Sequence, residues 1–587
     1  MGQSGDPAPG VIVDPITLAV IRGALEEITN EMDYVFERMA FSPVISDGWD
    51  RAGGIYDPVT GEVYAQGPRG LPTFVGVMQF ATKAVIDRIT DVQPDDIFLT
   101  NDPYLGGTHL MDVKMIRPFF YRGELFAYLS NTGHWSDIGG RTPGGFSPKA
   151  TDIYQEGLRL PPVRIFAGGK LDQQILDIIL VNTRVARERL GDIRAQATAL
   201  RVGDRRLTEL LDRYGREVVQ AAIRELAART EAAVRERIRE IPGGVYRFTD
   251  HMDSDGIVER PLRLHLDLTV EGGAIHFDFS ASDPPCRGPL NSVLATTVSA
   301  CCVAMKHLFP EIPLNYGFFR PFRFTVPSST FLNAQEPRPV AGCAAEVSQR
   351  VIDVVFGALG QAIPGQVPAA AFSTVSNVAI GGDDPLHGPY VAYSFIGGGY
   401  GGSSVSDGLN NGCSTISLAR TQAVEVFEQH YPLLVREYSL RQDSAGAGRH
   451  RGGLGVVFEI ELRRGDAVLA SLLGDRGRFA PFGAAGGRPG TNSRYTFTLD
   501  GRPYVPPHLS KDEGVVFAAG DRLRMETPGG GGFGPPEERD PERVARDVCL
   551  GYITVAAARE DYGVVLDDEG QVDAAATATL RAGRRER

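Results

Sequence analysis

Cysteine is scarce in this chain of 587 residues, which has six cysteines and no Cys-x-x-Cys pair. Zinc ribbons and thioredoxin-like redox sites use that spacing, so neither is expected. The adjacent Cys301 and Cys302 stand in an apolar stretch, residues 296–308, that is typical of a buried helix. That setting favours reduced thiols in the core over a disulfide or a nucleophile.

Long apolar runs and excess positive charge are absent as well. No apolar run has the ~20 residues that cross a bilayer, and residues 1–10 are polar. We therefore expect a cytoplasmic protein without a membrane partner. The net charge of −13 argues against nucleic acid as the main partner, because contacts to phosphates need a basic surface.

Two common kinds of catalytic motif are also missing. No serine or cysteine lies in a Gly-x-Ser-x-Gly type of nucleophile elbow, so covalent catalysis by serine is not expected. The glycine runs at residues 397–402 and 529–534 lack the strand–loop–helix context of a phosphate-binding loop. We interpret both runs as sites of close backbone packing.

The length and the patterns along the chain predict several domains. Seventy glycines and thirty-nine prolines are dispersed among apolar segments, without an internal repeat or a flexible linker. This indicates a multi-domain α+β fold with mixed β-sheets and long helices. The predicted parts are a metal-binding α+β region (1–165), a helical region (166–242), a β-rich then helical central region (243–369), a glycine-rich β region (370–535) and a C-terminal helical tail (536–587).

The most informative segment contains a predicted β-hairpin. Residues 113–121 and 124–130 are strand-like runs joined by Arg122-Gly123, a connection typical of a tight hairpin turn. If Tyr121 pairs with Glu124, Asp112 lies opposite Gly133 and His134 is one residue away. His109 lies just beyond the same end, so the open end of the hairpin should gather two imidazoles and one or two carboxylates.

This combination of side chains predicts a divalent metal site. Imidazole and carboxylate ligands suit Zn²⁺, Mn²⁺ or Fe²⁺ and leave a position open for water. Gly106 and Gly107 permit a tight approach of the loop that carries His109. A fourth ligand could be Asp47, Asp50 or Asp137, between which composition does not decide. The glycines at residues 139–140, 144–145 and 157 fit either a pliable rim or ordinary turns.

Ordered motifs along the whole chain carry a family resemblance. They are Val13-Asp14-Pro15-Ile16-Thr17, residues 101–112, Asn131-Thr132-Gly133-His134-Trp135, Asp137-Ile138-Gly139-Gly140, Gln155-Glu156-Gly157, Pro289-Leu290-Asn291, Glu346-Val347-Ser348-Gln349-Arg350, Arg449-His450-Arg451-Gly452-Gly453, Asp475-Arg476, residues 485–490 and residues 527–534. The chain resembles the B-type subunit of the ATP-dependent hydantoinase/oxoprolinase family, which also includes large subunits of acetone and acetophenone carboxylases.

The resemblance implies one subunit of a heteromeric enzyme. A separate A-type subunit with an actin-like ATPase fold would bind ATP and phosphorylate an amide or enolate oxygen of a small-molecule substrate, in an A2B2-type assembly. The metal ligands carried over by resemblance are His109, Asp112 and His134, with Asp50 as the fourth. Residues 67–73 depart from the pattern of many hydantoinases, which have a histidine-containing segment there, and this leaves the identity of the substrate open.

Three functions follow as hypotheses. The first is ATP-dependent opening of a cyclic amide (a hydantoin, 5-oxoproline or a lactam), in which metal-bound water attacks and Asp137 or Glu346 accepts a proton. The second is ATP-dependent carboxylation of a ketone. The third is a non-catalytic scaffold with a structural metal. An open metal site without a covalent nucleophile favours the first.

Overall fold

The computed structural model describes residues 11–585, so residues 1–10 and the end of the predicted C-terminal tail (586–587) lie outside the described residues. Thirteen α-helices occur in the described part. They are α1 Pro15–Met39, α2 Pro43–Ser46, α3 Pro72–Arg88, α4 Gln173–Val181, α5 Ala186–Tyr214, α6 Arg216–Arg239, α7 Leu294–Leu308, α8 Tyr316–Phe319, α9 Ser348–Ala362, α10 Val424–His430, α11 Pro541–Cys549, α12 Val555–Tyr562 and α13 Ala574–Arg585.

The strands of the first half form two sheets. An antiparallel seven-stranded sheet, in the order β2-β1-β5-β4-β3-β6-β7, consists of β1 Arg51–Tyr56, β2 Val63–Gln66, β3 Ile97–Thr100, β4 Asp112–Tyr121, β5 Glu124–His134, β6 Val163–Ala167 and β7 Lys170–Leu171. A four-stranded sheet, in the order β11-β10-β9-β8, consists of β8 Gly244–Met252, β9 Leu262–Glu271, β10 Ala274–Asp278 and β11 Phe322–Thr325, with β10 and β11 parallel.

Two further antiparallel sheets lie in the second half. One has the order β13-β12-β16-β19 and contains β12 Asn377–Asp384, β13 Gly388–Ser394, β16 Val468–Leu473 and β19 Lys511–Phe517. The other has the order β14-β15-β20-β17-β18 and contains β14 Leu433–Leu440, β15 Val456–Leu462, β17 Arg494–Leu499, β18 Arg502–Tyr504 and β20 Arg522–Glu526. Helices and mixed sheets in separate blocks confirm the α+β class.

Helix α1 covers the sheet that contains the predicted hairpin. Its N-cap is Asp14, whose carboxylate accepts hydrogen bonds from the backbone N–H groups of Ile16 and Thr17, both at 3.0 Å. Pro15 occupies the first helical position, where no N–H donor is needed. The apolar face that packs against β1 and α5 is buried at Leu18, Ile21, Leu25, Ile28, Met32 and Phe36.

The charged helices α5 and α6 expose most of their arginines and glutamates, but one pair is an exception. Arg189 and Asp192 are fully buried and form an ion pair of 2.6 Å. The Arg189 guanidinium lies 4.5 Å from the ring centroid of Trp135, the residue that follows β5. Part of the charge in this region therefore supports the end of the hairpin.

The glycine runs pack backbone against backbone, which confirms the interpretation from the sequence. The N–H of Gly402 donates to the carbonyl of Gly531 at 2.9 Å, and that of Gly399 donates to the carbonyl of Pro528 at 3.0 Å. A Cβ atom on Gly399 would lie 1.9 Å from a carbonyl oxygen of Gly453. Only glycine allows this approach.

Three hydrophobic cores can be distinguished among the described residues. The largest joins the seven-stranded sheet, α1, α3, the helices α5–α7 and α9, and the sheet β8–β11. A second core lies between the two sheets of the second half, and a small third core packs α11 and α12. Within residues 11–585, no helix combines the length and the apolar character that a membrane crossing needs.

Candidate metal centre

The hairpin β4–β5 forms as predicted, with one correction to its register. Tyr121 pairs with Glu124, and the connecting Arg122 and Gly123 have φ values of 51° and 85°, as a type I′ turn requires. A β-bulge between Phe119 and Phe120 shifts the pairing by one residue beyond that point. Asp112 therefore pairs with His134, and the prediction that it lies opposite Gly133 was wrong.

The observed register places the three predicted ligands closer together than the predicted register did. Nε2 of His109 lies 3.0 Å from Oδ1 of Asp112, and Nδ1 of His134 lies 3.2 Å from the same oxygen. The ligand atoms of these three buried residues are all within 4.8 Å of one another. Bonds of about 2.0–2.2 Å to a common ion would hold ligand atoms at such separations.

The hydrogen bonding of His109 indicates that this cluster needs a proton or a cation between its side chains. Its Nδ1 lies 3.1 Å from the carbonyl oxygen of Ala341, which can only accept, so a neutral ring carries its hydrogen on Nδ1. Nε2 then turns a lone pair toward the carboxylate of Asp112. Two lone pairs at 3.0 Å require a proton or a metal ion between them, so the side chains fit a divalent cation.

The protonation states of His134 and Asp112 agree with a role as metal ligands. Burial lowers the pKa of His134 to about 4, so this imidazole is neutral near pH 7 and offers a lone pair. Burial by itself would raise the pKa of Asp112; when a proton takes the place of the cation between His109 and Asp112, its charge and the hydrogen bonds from both imidazoles hold that pKa well below its usual range. A neutral imidazole and an ionised carboxylate are the forms that bind metals.

A set of outer contacts orients the ligands. The Thr108 hydroxyl donates to Oδ2 of Asp112, and the buried Lys114 donates to Oγ1 of Thr108 at 2.9 Å and to the carbonyl of Asp112 at 2.8 Å. On the other side, the N–H of Ala341 donates to the buried Glu156 at 2.8 Å. These bonds fix the positions of Asp112 and of the carbonyl that His109 contacts.

The ligands open onto a cavity of about 470 Å³ between the two halves of the molecule. Much of its wall is apolar, with Leu71, Phe74, Ala344, Ala345, Phe372, Val375, Phe395, Ile396, Ile416 and Ala419. Residues 411–424 form one whole side of it. A concave, mostly apolar site with a few convergent polar groups is the usual form of a small-molecule binding site.

Two aromatic rings stack with His134, and one of them, Tyr393, comes from the second half of the chain. The ring of Tyr393 lies 4.8 Å from the ring of His134 and 5.3 Å from that of Phe146, with near-parallel planes. The Tyr393 hydroxyl donates to Asn377 at 2.8 Å, and Asn377 donates to Glu346 at 3.2 Å. No local pattern in the sequence points to Tyr393 or Phe146, and Tyr393 reaches the site only through the packing of the two halves.

Glu346 lies behind the cavity rather than in its lining. It is fully buried in a π-helical turn, Cys343–Val347, where its Oε1 accepts from the N–H of Val375 at 3.1 Å. Burial raises the pKa of Glu346 to about 8, so near neutral pH it already holds a proton. It is connected to the site through Asn377 and Tyr393, and its part in proton transfer stays a prediction.

Asp137 also lies outside the cavity lining. Its carboxylate accepts from the N–H groups of Gly139 and Gly144, both at 3.1 Å, and from the N–H and guanidinium of Arg184 at 2.8 and 2.9 Å. These bonds brace the glycine-rich loop next to the metal cluster. The geometry favours a structural role, and a role for Asp137 as proton acceptor or ligand stays a prediction.

Asp50 is the candidate for the fourth ligand that lines the cavity. It precedes β1, and its carbonyl accepts from the N–H of His134 at 3.0 Å, so it lies beside the hairpin end. Burial raises its pKa, and the negative charge of Asp112 raises it further. Two nearby carboxylates repel each other unless a cation joins them. The third candidate, Asp47, is exposed and does not line the cavity.

The comparisons with known proteins agree with these features. The family model "Hydantoinase B/oxoprolinase" matches residues 14–536. The chain belongs to this family. The beta subunit of the caprolactamase of Pseudomonas jessenii is 34% identical over 586 residues, which cover 97% of this chain and 99% of that protein. The B-type chain of a putative D-/L-hydantoinase of Pseudomonas sp. (strain NS671) is 30% identical, over 97% of this chain and 98% of that protein.

Solved structures show the same fold. The crystal structure of the ATP-dependent caprolactamase from Pseudomonas jessenii matches with a TM-score of 0.89 at 32% identity, over 97% of this chain and all of the matched chain. A nucleotide-free structure of acetone carboxylase matches with a TM-score of 0.88 at 21% identity, over 98% of this chain and 83% of the other. At that identity the second likeness concerns the fold alone.

The position of residues 67–73 is informative for this member of the hydantoinase B family. Leu71 and Thr73 line the cavity, so the segment that departs from the hydantoinase pattern lies at the site. The N–H of Thr73 donates to the carbonyl of Ile416 at 3.0 Å, which ties this wall to the facing segment 411–424. Sequence reasoning missed the latter segment because it has no charged or metal-ligand pattern.

Proposed function

We propose that this chain is the metal-bearing B-type subunit of an ATP-dependent cyclic amidase that opens lactam or related rings, such as hydantoins and 5-oxoproline. The observation that carries the proposal is the convergence of His109, Asp112 and His134 at the wall of a largely apolar cavity. The likeness to one subunit of a caprolactamase over nearly the whole chain supports a cyclic amide as substrate.

Three side chains would hold the metal, with Asp50 as the fourth ligand. The bond from Nδ1 of His109 to Ala341 leaves Nε2 free for the ion, and Lys114 holds the Asp112 segment in place. A divalent ion such as Zn²⁺ or Mn²⁺ (or Fe²⁺) supplies Lewis acidity there, polarising a carbonyl or lowering the pKa of water. The aromatic stack on His134 fixes the plane of its ring.

The apolar wall is suited to the methylene groups of a lactam ring. Phe74, Phe372 and Phe395 would exclude water from the ring and orient its amide toward the ligands. A separate A-type subunit would transfer the terminal phosphoryl group of ATP to the amide oxygen and release ADP. One water then adds to the activated carbon and the C–N bond breaks, which gives a ring-opened acyl phosphate with a free amine, and a second water hydrolyses the acyl phosphate to the carboxylate and inorganic phosphate.

The partner subunit follows from the same proposal. Two relatives of this chain are named as a beta and a B subunit, and the related caprolactamase is ATP-dependent. Backbone atoms of neighbouring segments occupy the space beside the glycine runs of this chain, so ATP would bind mainly to the partner. We expect an A2B2-type assembly.

The proposal is tested by purifying the chain together with its A-type partner and assaying ring opening. The substrates are ε-caprolactam, smaller lactams, 5-oxoproline and hydantoin, each with and without ATP. We expect ATP-dependent release of a carboxylate from at least one ring. Turnover of none of them, together with fixation of labelled bicarbonate into acetone or acetophenone, would overturn the proposal in favour of a ketone carboxylase.

A further inference from the structure

One cationic side chain lies at the wall of the metal cavity. Arg420 belongs to the segment 411–424 and is exposed to solvent, and it is the one lysine or arginine among the described residues that line this cavity. The other charged groups in the lining are Asp50 and Asp112 with the two imidazoles of the metal cluster. Arg420 therefore shares a mostly apolar cavity with the metal ligands.

The position of Arg420 is fixed by two contacts to the loop that carries Asp50. Its backbone N–H donates to the carbonyl of Gly48 at 2.9 Å, and its guanidinium lies 3.6 Å from the ring centroid of Trp49. Trp49 has a φ of 62°, a value uncommon for a side chain of this size, and Asp50 follows it directly. The stack orients the guanidinium while leaving its edge N–H donors free.

The charge of Arg420 has no counterion within residues 11–585. No carboxylate of this part of the chain forms an ion pair with its guanidinium, whereas the nearby Arg51 pairs with Glu37 at 2.6 Å. A planar donor group held in place without a partner is suited to bidentate contact with an oxyanion. An apolar wall and an oxyanion site in the same cavity match a ring that carries one negative group.

We propose that Arg420 binds an oxyanion of the substrate and thereby positions the ring against the metal ligands. This inference rests on the proposed function. The oxyanion has two possible sources with the same chemistry: the phosphoryl group that the partner transfers, or a carboxylate of the ring itself, as in 5-oxoproline. Arg420 is thus a specificity and positioning residue for the ring-opening reaction.

The two sources are separated with the assembled enzyme and two substrates, uncharged ε-caprolactam and the carboxylate-bearing 5-oxoproline. For a phosphoryl site, Arg420→Ala raises the number of ATP molecules consumed per ring opened with both substrates. For a carboxylate site, it raises KM by about tenfold or more, the effect of one hydrogen bond to a charged group, with 5-oxoproline alone. Rates and coupling that are unchanged with both substrates would refute the proposal.

Arg436→Ala is the matched control. Arg436 is a similarly exposed arginine on β14 that does not line the cavity and pairs with Glu461 at 2.8 Å. Its replacement should leave KM and coupling unchanged with both substrates. Arg420→Lys keeps the charge but loses the planar stack on Trp49, so it should restore part of the loss.

A binding measurement separates this inference from the proposed function. Phenyl phosphate, an apolar ring with a phosphoryl group, is titrated into the chain while tryptophan fluorescence is followed; the chain has two tryptophans and Arg420 stacks on one. We expect a saturable change that weakens about tenfold or more in Arg420→Ala and not in Arg436→Ala. If the enzyme opens no ring, this titration still tests whether Arg420 binds an oxyanion. Equal binding by Arg420→Ala and Arg436→Ala would refute that role.

Discussion

Two buried clusters of charged side chains differ in how their charge is balanced. In the metal cluster, the carboxylate of Asp112 faces two imidazoles, and Asp50 adds a second carboxylate nearby. In the second cluster, which joins α9 to the sheets of the second half, three cations alternate with three carboxylates: Arg350, Arg476, Lys511, Asp250, Asp353 and Asp475.

The comparison separates a structural network from a functional site. The second cluster neutralises itself, with Arg350 at 3.2 Å from Asp250 and 3.4 Å from Asp475, and does not line the cavity. The metal cluster has an excess of negative charge and of lone pairs and opens onto the cavity. A cluster whose charges balance one another within the protein indicates a role in packing, whereas a cluster of unbalanced charges beside a cavity indicates a ligand-binding site.

The largest effect is expected from removing the charge of the metal cluster. Asp112→Asn should lower bound metal, measured by elemental analysis, and reduce turnover by more than the ~100-fold that changes in outer contacts cost. The melting temperature of the metal-free protein should change by less than about 3 °C, which corresponds to ~1 kcal/mol in a large domain. Unfolding of the variant would instead support a structural metal in a non-catalytic scaffold.

A matched control for Asp112→Asn lies on strand β9 of the four-stranded sheet β8–β11. His265 and Asp267 form a His–Asp contact of 3.0 Å there, away from the cavity. Asp267→Asn should leave both metal content and turnover unchanged. A comparable loss of metal in this variant would show that the assay does not report on the predicted cluster.

The balanced cluster should respond in the opposite way. Arg350→Met removes one of the two cations that each of Asp250 and Asp475 contacts, and removing one partner of a buried pair costs up to about 3–5 kcal/mol. We expect a large shift of the urea unfolding midpoint while the folded fraction keeps its metal. Arg436→Met, which breaks an exposed pair worth about 0–1 kcal/mol, is the control. Equal shifts in both variants would contradict the structural role.

The most gradual effect concerns the pH dependence of stability at Glu346. Its pKa is about 8 in the folded protein and about 4.3 in an unfolded chain. Between these values the unfolded state loses a proton that the folded state keeps, so stability falls as pH rises and levels off above the folded pKa.

Glu346→Gln mimics the protonated side chain and should remove this slope. Relative to the variant, the wild type should lose up to ~1.4 kcal/mol per pH unit within that window, seen as a falling melting temperature. Glu437→Gln, at an exposed carboxylate that pairs with Arg524 at 2.6 Å, is the control and should not show the effect. Parallel pH profiles for the wild type and Glu346→Gln would contradict a raised pKa.

The local parts of the fold were predictable because short-range rules govern them. Asp14-Pro15 starts α1, Arg122-Gly123 turns the hairpin, and alternating apolar residues mark β9 and β10. The register was predicted one residue off because a bulge leaves Phe126 without a pairing partner on β4, and no residue type requires a bulge there.

The site itself was predictable only where its residues lie on neighbouring strands or adjoining loops. His109, Asp112 and His134 meet through one hairpin, so counting along two strands nearly placed them. Tyr393, Phe372 and Arg420 are more than two hundred residues away in the chain and reach the cavity only when the two halves pack. Asp137 and Glu346 carry suitable chemistry but do not line the cavity, and their roles in proton transfer stay predictions.

The amino-acid sequence by itself determined the start of α1, the hairpin and the alternating strands, because capping, turn and alternation rules act over a few residues, and ordered motifs along the chain identified its family. The tertiary structure alone decided which side chains share a cavity, which buried charges are balanced and which are left for a ligand. The reason is physical: the dielectric surroundings, the distance to a counterion and the shape of a wall depend on residues that are remote in the chain and adjacent only after packing.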